Sequence, residues 1–200
     1  MIMAKFGFLS VLEEEMDKHF SFDYAMDWDK KNHAMELTFI LEAQNAGSVE
    51  TIDDTGEVSS EDIVFEDYVL FYNPAKSTFD ADDYLVTIPY EPKKGLSREF
   101  LAYFSQTLND VATHGLDDLM DFLTDETATD FGLDWDAQAF ENCRAELKET
   151  EFYPYPRYWD DFNLELMVSD MVKFGHFRIG AVGRTLVLAP DGCYWWISNG

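Results

Sequence analysis

The chain has 200 residues, 46% of them hydrophobic, and 14 lysines and arginines against 40 aspartates and glutamates, for a formal net charge of −26. That apolar share supports a packed core, and the length suits one domain with an appendage. The charge argues against affinity-driving contact with nucleic-acid phosphates and against an anionic membrane surface.

No apolar run approaches the roughly 20 residues of a membrane span. The amino terminus has neither the long apolar stretch nor the small-residue cleavage site of a signal peptide. The expected location is therefore cytoplasmic. Cys143 and Cys193 form no C-x-x-C pair, which excludes a zinc ribbon or a thioredoxin-like site. Two reduced, buried thiols are the expectation.

A first helix is predicted from a capping-box spacing of Ser10 and Glu13, with Glu13, Glu14 and Glu15 near its positive end. A start near Ala4 is the alternative. Leu9, Leu12, Met16 and Phe20 share its apolar face. Period-two alternation then predicts a hairpin. Phe22, Tyr24, Met26 and Trp28 point one way on the first strand, and Met35, Leu37, Phe39, Leu41 and Ala43 on the second, around a polar turn at 29–33. The wet face carries acids from both strands, a repulsion unless lysines intervene. Strands at 63–72 and 84–88 complete an antiparallel sheet of about four strands.

A second helix opens at Ser97, with Leu96 and Leu101 spaced as a hydrophobic staple. Phe100, Phe104, Leu108 and Val111 form its buried stripe, and Gly115 is its expected left-handed stop. Short helices follow near 116–123 and 136–148, the latter with Phe140, Cys143 and Leu147 on one face. Pro154 and Pro156 forbid a helix through 152–159, which must run extended with its rings placed on something. Residues 173–200 hold Lys173, Arg178 and Arg184 against Asp191, a net of +2, leaving −28 for the first 172. Strands at 185–189 and 193–197 flank the turn Pro190-Asp191-Gly192. The fold class is α+β: an antiparallel sheet packed against helices, with an N-terminal helix and a C-terminal β-hairpin. Residues 1–158 form the acidic α+β domain. Residues 159–200 are a less acidic, β-rich extension packed on it.

Local motifs for chemistry are lacking. Asp54-Thr55-Gly56 matches the aspartic-protease triplet but sits among Asp53, Glu57, Ser59 and Ser60, where a solvated turn fits better. No EF-hand spacing holds an acid cluster. His19, His33, His114 and His176 lack metal-ligand spacing and belong at helix ends or turns. No nucleophile elbow, phosphate loop or dinucleotide fingerprint occurs. No catalytic residue, metal ligand or cofactor is expected.

Five stretches carry a resemblance. They are Lys5-Phe6-Gly7-Phe8-Leu9 with Val11-Leu12-Glu13-Glu14-Glu15, Ala25-Met26-Asp27-Trp28-Asp29-Lys30-Lys31-Asn32-His33, Glu61-Asp62-Ile63-Val64-Phe65-Glu66-Asp67-Tyr68, Ile88-Pro89-Tyr90-Glu91-Pro92-Lys93-Lys94-Gly95-Leu96 and Glu151-Phe152-Tyr153-Pro154-Tyr155-Pro156-Arg157-Tyr158. Together, over about residues 3–158, the chain resembles a family of acidic cytosolic proteins of unknown function from streptococci, lactococci and related Firmicutes. The resemblance implies no activity, catalytic residue or cofactor.

The function expected from the sequence is non-catalytic: a protein-binding or chaperone-like module with a protein partner. Its contact residues are Tyr153, Tyr155, Arg157, Tyr158 and Trp159, rings beside an arginine. A crossover that docks those rings on the sheet is the structural alternative. A DNA-mimicking inhibitor of a nucleic-acid-binding protein, or an enzyme whose active site converges from distant positions, are the competing functions.

Overall fold

The computed structural model describes residues 7–29, 31–45, 63–125, 128 and 130–155, together with the backbone of short strands at 51–52, 58–59, 180–181, 184–188 and 194–198.

Helix α1 spans Phe8–His19 and is capped by Gly7, with no side-chain cap. The predicted capping box therefore does not form, and Ser10 lies inside the helix. Phe8 is fully buried, so the apolar stripe extends one turn earlier than the predicted start. The first amide finds its acceptor elsewhere, Phe8 N donating to Pro154 O at 3.2 Å. Leu9, Leu12, Met16 and Phe20 are buried as their spacing requires.

Strands β1 (Tyr24–Asp29) and β2 (Ala34–Ala43) make the predicted antiparallel hairpin, with Tyr24 opposite Phe39 and Asp29 opposite Ala34. Asp29 Oδ1 accepts from Lys31 N and Asn32 N across the turn. Short strands β3 (Thr51–Ile52) and β4 (Val58–Ser59) pair with each other. Strand β5, Ile63–Tyr72, has its predicted bounds and lies antiparallel to β2.

Strand β6, Val86–Pro89, corrects the all-antiparallel expectation. It runs parallel to β5, giving a mixed sheet of order β1-β2-β5-β6. Parallel neighbours need a crossover rather than a tight turn. Residues 73–85 supply it, through a 3-10 turn at Ala81–Asp83. The crossover is stapled to the hairpin turn. Asn32 Nδ2 donates to Thr78 O, Asn32 Oδ1 accepts from Thr78 N, and Ser77 Oγ donates to His33 O.

Strand β7 (Leu96–Ser97) leads into helix α2, Arg98–Phe122. Ser97 is the predicted cap, its Oγ accepting from Phe100 N at 3.1 Å. The helix does not stop at Gly115 but continues for two more turns, absorbing the short helix expected at 116–123. A Cβ on Gly115 would come within 2.1 Å of Leu133 Cδ2 and 3.5 Å of Leu41 Cδ1. The glycine is there for close packing, not for a left-handed stop. His114 accordingly lies mid-helix, with Nδ1 2.7 Å from Asp110 O.

Helix α3 spans Ala137–Ala145 and is capped by Asp136. Phe140 is buried, but Cys143 is an exposed free thiol. That corrects the buried-thiol expectation: α3 is short and peripheral, so a single ring anchors it. Strand β8, Phe152–Tyr153, pairs antiparallel with β7. Strands β9 (Gly180–Ala181), β10 (Arg184–Leu188) and β11 (Tyr194–Ser198) pair among themselves, with Leu188 opposite Tyr194. The Asp54-Thr55-Gly56 triplet, Cys193, His176 and the 158/159 boundary fall outside the described residues.

Both long helices pack on one face of the sheet. Met26, Met35, Leu37, Phe39, Leu41, Val69, Phe71 and Ile88 meet Phe8, Leu12, Met16, Phe100, Phe104 and Leu108 in one core. Phe22, Tyr24 and Trp28 pack against it. The architecture is α+β, as the sequence implies.

Candidate functional site

Among the described residues no helix packs on the opposite face of the sheet. Strand alternation places Asp27 and Asp29 of β1, Glu36, Thr38, Ile40 and Glu42 of β2, and Val64, Glu66, Tyr68, Leu70 and Tyr72 of β5 on this outer face. The crossover covers one end of it. The Phe79 ring lies 4.7 Å from that of Tyr72 and 6.1 Å from that of Tyr84. Leu70, also on this face, is only 3% exposed. At the other end Val64 is 57% exposed.

Asp27 stands directly opposite Glu36 in the β1–β2 register. Burial pushes the Asp27 carboxyl up, and neighbouring Asp29 adds to that, against one bond from Trp28 N. Burial also raises Glu36, and Asp27 raises it further, while the Tyr84 hydroxyl donating at 3.2 Å works the other way. Burial and Glu36 together push the Tyr84 phenol up to about 12. The Tyr68 hydroxyl donates to Glu66 Oε2 at 3.2 Å. No lysine or arginine among the described residues pairs with any of these acids. Like charges facing each other across strands are destabilising. The arrangement therefore leaves a carboxylate pair, edged by tyrosine hydroxyls, with no basic side chain beside it among the described residues.

Of the predicted contact residues, Tyr153 and Tyr155 lie away from these acids. Tyr155 is 9% exposed. Its ring stacks on Tyr90 at 4.8 Å and meets Phe8 and Trp28 at 5.9 and 6.2 Å. Its amide donates to Pro92 O at 3.1 Å. Tyr153 is half-buried with the Arg98 guanidinium over its ring at 5.6 Å. Residues 152–155 thus form an extended strap that docks rings against the body. Arg157, Tyr158 and Trp159 fall outside the described residues. The outer-face acids were visible as alternating positions, but Tyr84 arrives from a crossover that carries no local signal.

A second acidic group sits on α1. Burial, then Asp17 and Glu14, raise Glu13 to about 7. The Tyr24 hydroxyl donates to Asp17 Oδ1 at 2.9 Å. Because the folded state holds the Glu13 proton more tightly than the unfolded chain, this group's contribution falls as pH climbs from about 4.5 to 7. Glu13→Gln should raise stability at pH 8 by about 1 kcal/mol, after allowance for partial solvent screening. It should do nothing at pH 4. Thermal melts of both proteins at the two pH values check this, and an equal shift at pH 4 would refute the titration.

Among the described residues no group of three or more His, Cys, Asp or Glu is placed to hold a metal ion, and no helix is long and apolar enough to cross a membrane. No curated protein matches the chain. A crystal structure of a conserved protein of unknown function from Enterococcus faecalis is similar, with a TM-score of 0.66 and 43% identity, covering 77% of this chain and 98% of that one. A family model described as protein of unknown function (DUF3013) matches residues 3–157. With most of its length inside that match, and with helices on one side of a mixed sheet, the chain belongs to the DUF3013 family.

Proposed function

We propose that the chain is a non-catalytic protein-binding module whose sheet face opposite the helices receives a basic surface of its partner. One observation carries this reading. Asp27 and Glu36 face each other, partly desolvated, with no cation beside either among the described residues. A fold gains nothing from such a pair, and a partner lysine or arginine between them relieves the repulsion. The exposed Val64 and the Tyr68 ring supply apolar contact alongside. The 152–159 segment enters as a second contact through Tyr153, Arg157, Tyr158 and Trp159. Tyr155 is best kept intact in any such test, because truncating it strips a core ring.

The test pairs binding with stability. The double variant Asp27→Asn/Glu36→Gln should be more stable than the parent by roughly 0.5–1 kcal/mol, because it removes a like-charge pair. In native extract, zero-length carboxylate–lysine cross-linking of the parent should join Asp27, Glu36 or Glu66 to lysines of one partner. The variant should lose that partner despite its greater stability. Capture of the same partner by the variant at undiminished yield would refute the reading.

A further inference from the structure

The four-stranded sheet has two edges, and they are treated differently. On β1 the Trp28 amide is occupied by its own neighbour, Asp27 Oδ1, at 2.8 Å. A side chain that folds back on its strand blunts an edge against added strands. On β6 no side chain folds back in this way among the described residues, and only the strand's brevity and Pro89 guard it. The pairing with β5 engages Leu85, whose N–H donates to Tyr68 O at 2.9 Å, and by alternation Thr87. The peptide groups of Val86 and Ile88 therefore point to the outer edge. Among the described residues neither is bonded outside the β5 ladder. Pro89 then ends the strand and limits what can add to it to a short segment.

Beside this edge lies a cleft of about 320 Å³ between β6 and α3. Leu85, Val86 and Thr87 form one wall; Trp135, Ala137 and Phe140 form the other. Trp135 carries a spare donor, since its Nε1 is buried with no hydrogen-bond partner among the described residues. The rim is acidic. Glu141 lines the cleft, and Asp82 and Asp83 follow Ala81, which also lines it. Arg144 pairs with Glu141 at 3.4 Å and covers the Phe100 ring at 4.2 Å, so Asp82 and Asp83 carry the unpaired charge beside the cleft among the described residues.

We propose that the β6 edge and this cleft take an extended, lysine- or arginine-flanked segment of a partner protein as a fifth strand. Backbone pairing to Val86 and Ile88 supplies affinity, the aromatic wall takes alternate apolar side chains, and the rim acids select basic flanks. Asp27 and Glu36 do not line this cleft, although Tyr84 lines it and also bonds Glu36; separate variants therefore test the two surfaces.

The probe is the acetylated, amidated heptapeptide KVTVTVK, titrated into the full ¹⁵N-labelled chain. Saturable shifts are expected at the amides of residues 85–88 and at the Trp135 indole. Two peptides should bind roughly tenfold or more weakly: one methylated on two successive central amides, so that neither edge can pair, and EVTVTVE. Ala137→Arg fills the cleft from an exposed position and should weaken KVTVTVK by a similar factor without changing the melting temperature. Asp27→Asn/Glu36→Gln should leave the binding unchanged. Equal binding of the methylated peptide, indifference to Ala137→Arg, no shifts at 85–88, or shifts centred on Asp27 and Glu36 would each overturn the proposal.

Discussion

Arg98→Ala should lower the unfolding free energy by about 2–3 kcal/mol at pH 7, and by much less at pH 3. The reason is Glu15, whose carboxylate is 5% exposed. Arg98 Nη1 lies 2.6 Å from Glu15 Oε1 and 2.9 Å from Glu14 Oε2, with Glu151 further off at 3.7 Å from Nε. Burial alone pushes Glu15 up, but the hydrogen bonds from Lys18 and Arg98 outweigh it and hold the carboxyl below its ordinary value. A carboxyl with a depressed folded-state pKa stabilises the fold above its unfolded pKa, and that contribution disappears as pH falls through the folded value. Without Arg98 only Lys18, itself 53% exposed, and His19 at 3.4 Å remain. Burial then wins, and the charge is left poorly compensated at neutral pH. Urea denaturation at pH 7 and pH 3 measures both differences. A loss of equal size at the two pH values would mean that packing of the arginine stem, not the ion pairs, is responsible. Arg98→Lys should recover only part of the loss, because a single ammonium cannot bond Glu14 and Glu15 while also approaching Glu151 and covering the Tyr153 ring as the guanidinium does.

The same network explains a residue that local rules disfavour. A cation in the first turn of α2 opposes the helix dipole. Three carboxylates from two other segments, Glu14, Glu15 and Glu151, overrule that local preference. Nothing in the spacing around Ser97 announces them, because they come from 83 and 53 residues away or thereabouts along the chain.

What was legible follows the same division. The β1–β2 hairpin, the bounds of β5 and the Ser97 cap depend on neighbours within a few residues, and the sequence displays them. The parallel course of β6 depends on where residues 73–85 travel, which Asn32 and Ser77 decide through contacts with distant loops. The start of α1 depends on Pro154, and the continuation through Gly115 on Leu133 and Leu41. The outer-face acids were legible as a repulsion needing relief. Only the register showed that Asp27 and Glu36 are direct partners. The rings at 152–155 suited a docked crossover as well as a partner surface, since composition cannot say which side of a chain is covered.

Gly95→Ala should be the most damaging single methyl added to this fold, costing about 3–4 kcal/mol from left-handed strain and lost hydrogen bonds. Gly95 has φ +72, and a Cβ there would lie 1.6 Å from Tyr153 O and 2.6 Å from Pro154 Cα. Both neighbours are backbone, so no side-chain rotation relieves the overlap. The strap has to move. With it go the β7–β8 pairing of Leu96 with Tyr153, the bond from Arg98 N to Glu151 O, the bond from Tyr155 N to Pro92 O, and the Pro154 carbonyl that satisfies the first amide of α1. Tyr155 then leaves its stack on Tyr90. Amide hydrogen exchange reads this directly. The Arg98, Tyr155 and Phe8 amides should exchange roughly a hundredfold faster than in the parent, as local opening by about 3 kcal/mol requires, while those of β2 and β5 are affected less. Unchanged protection at Arg98 and Tyr155 would show that the strap tolerates the methyl, and that Gly95 is not what lets residues 152–155 lie against the body.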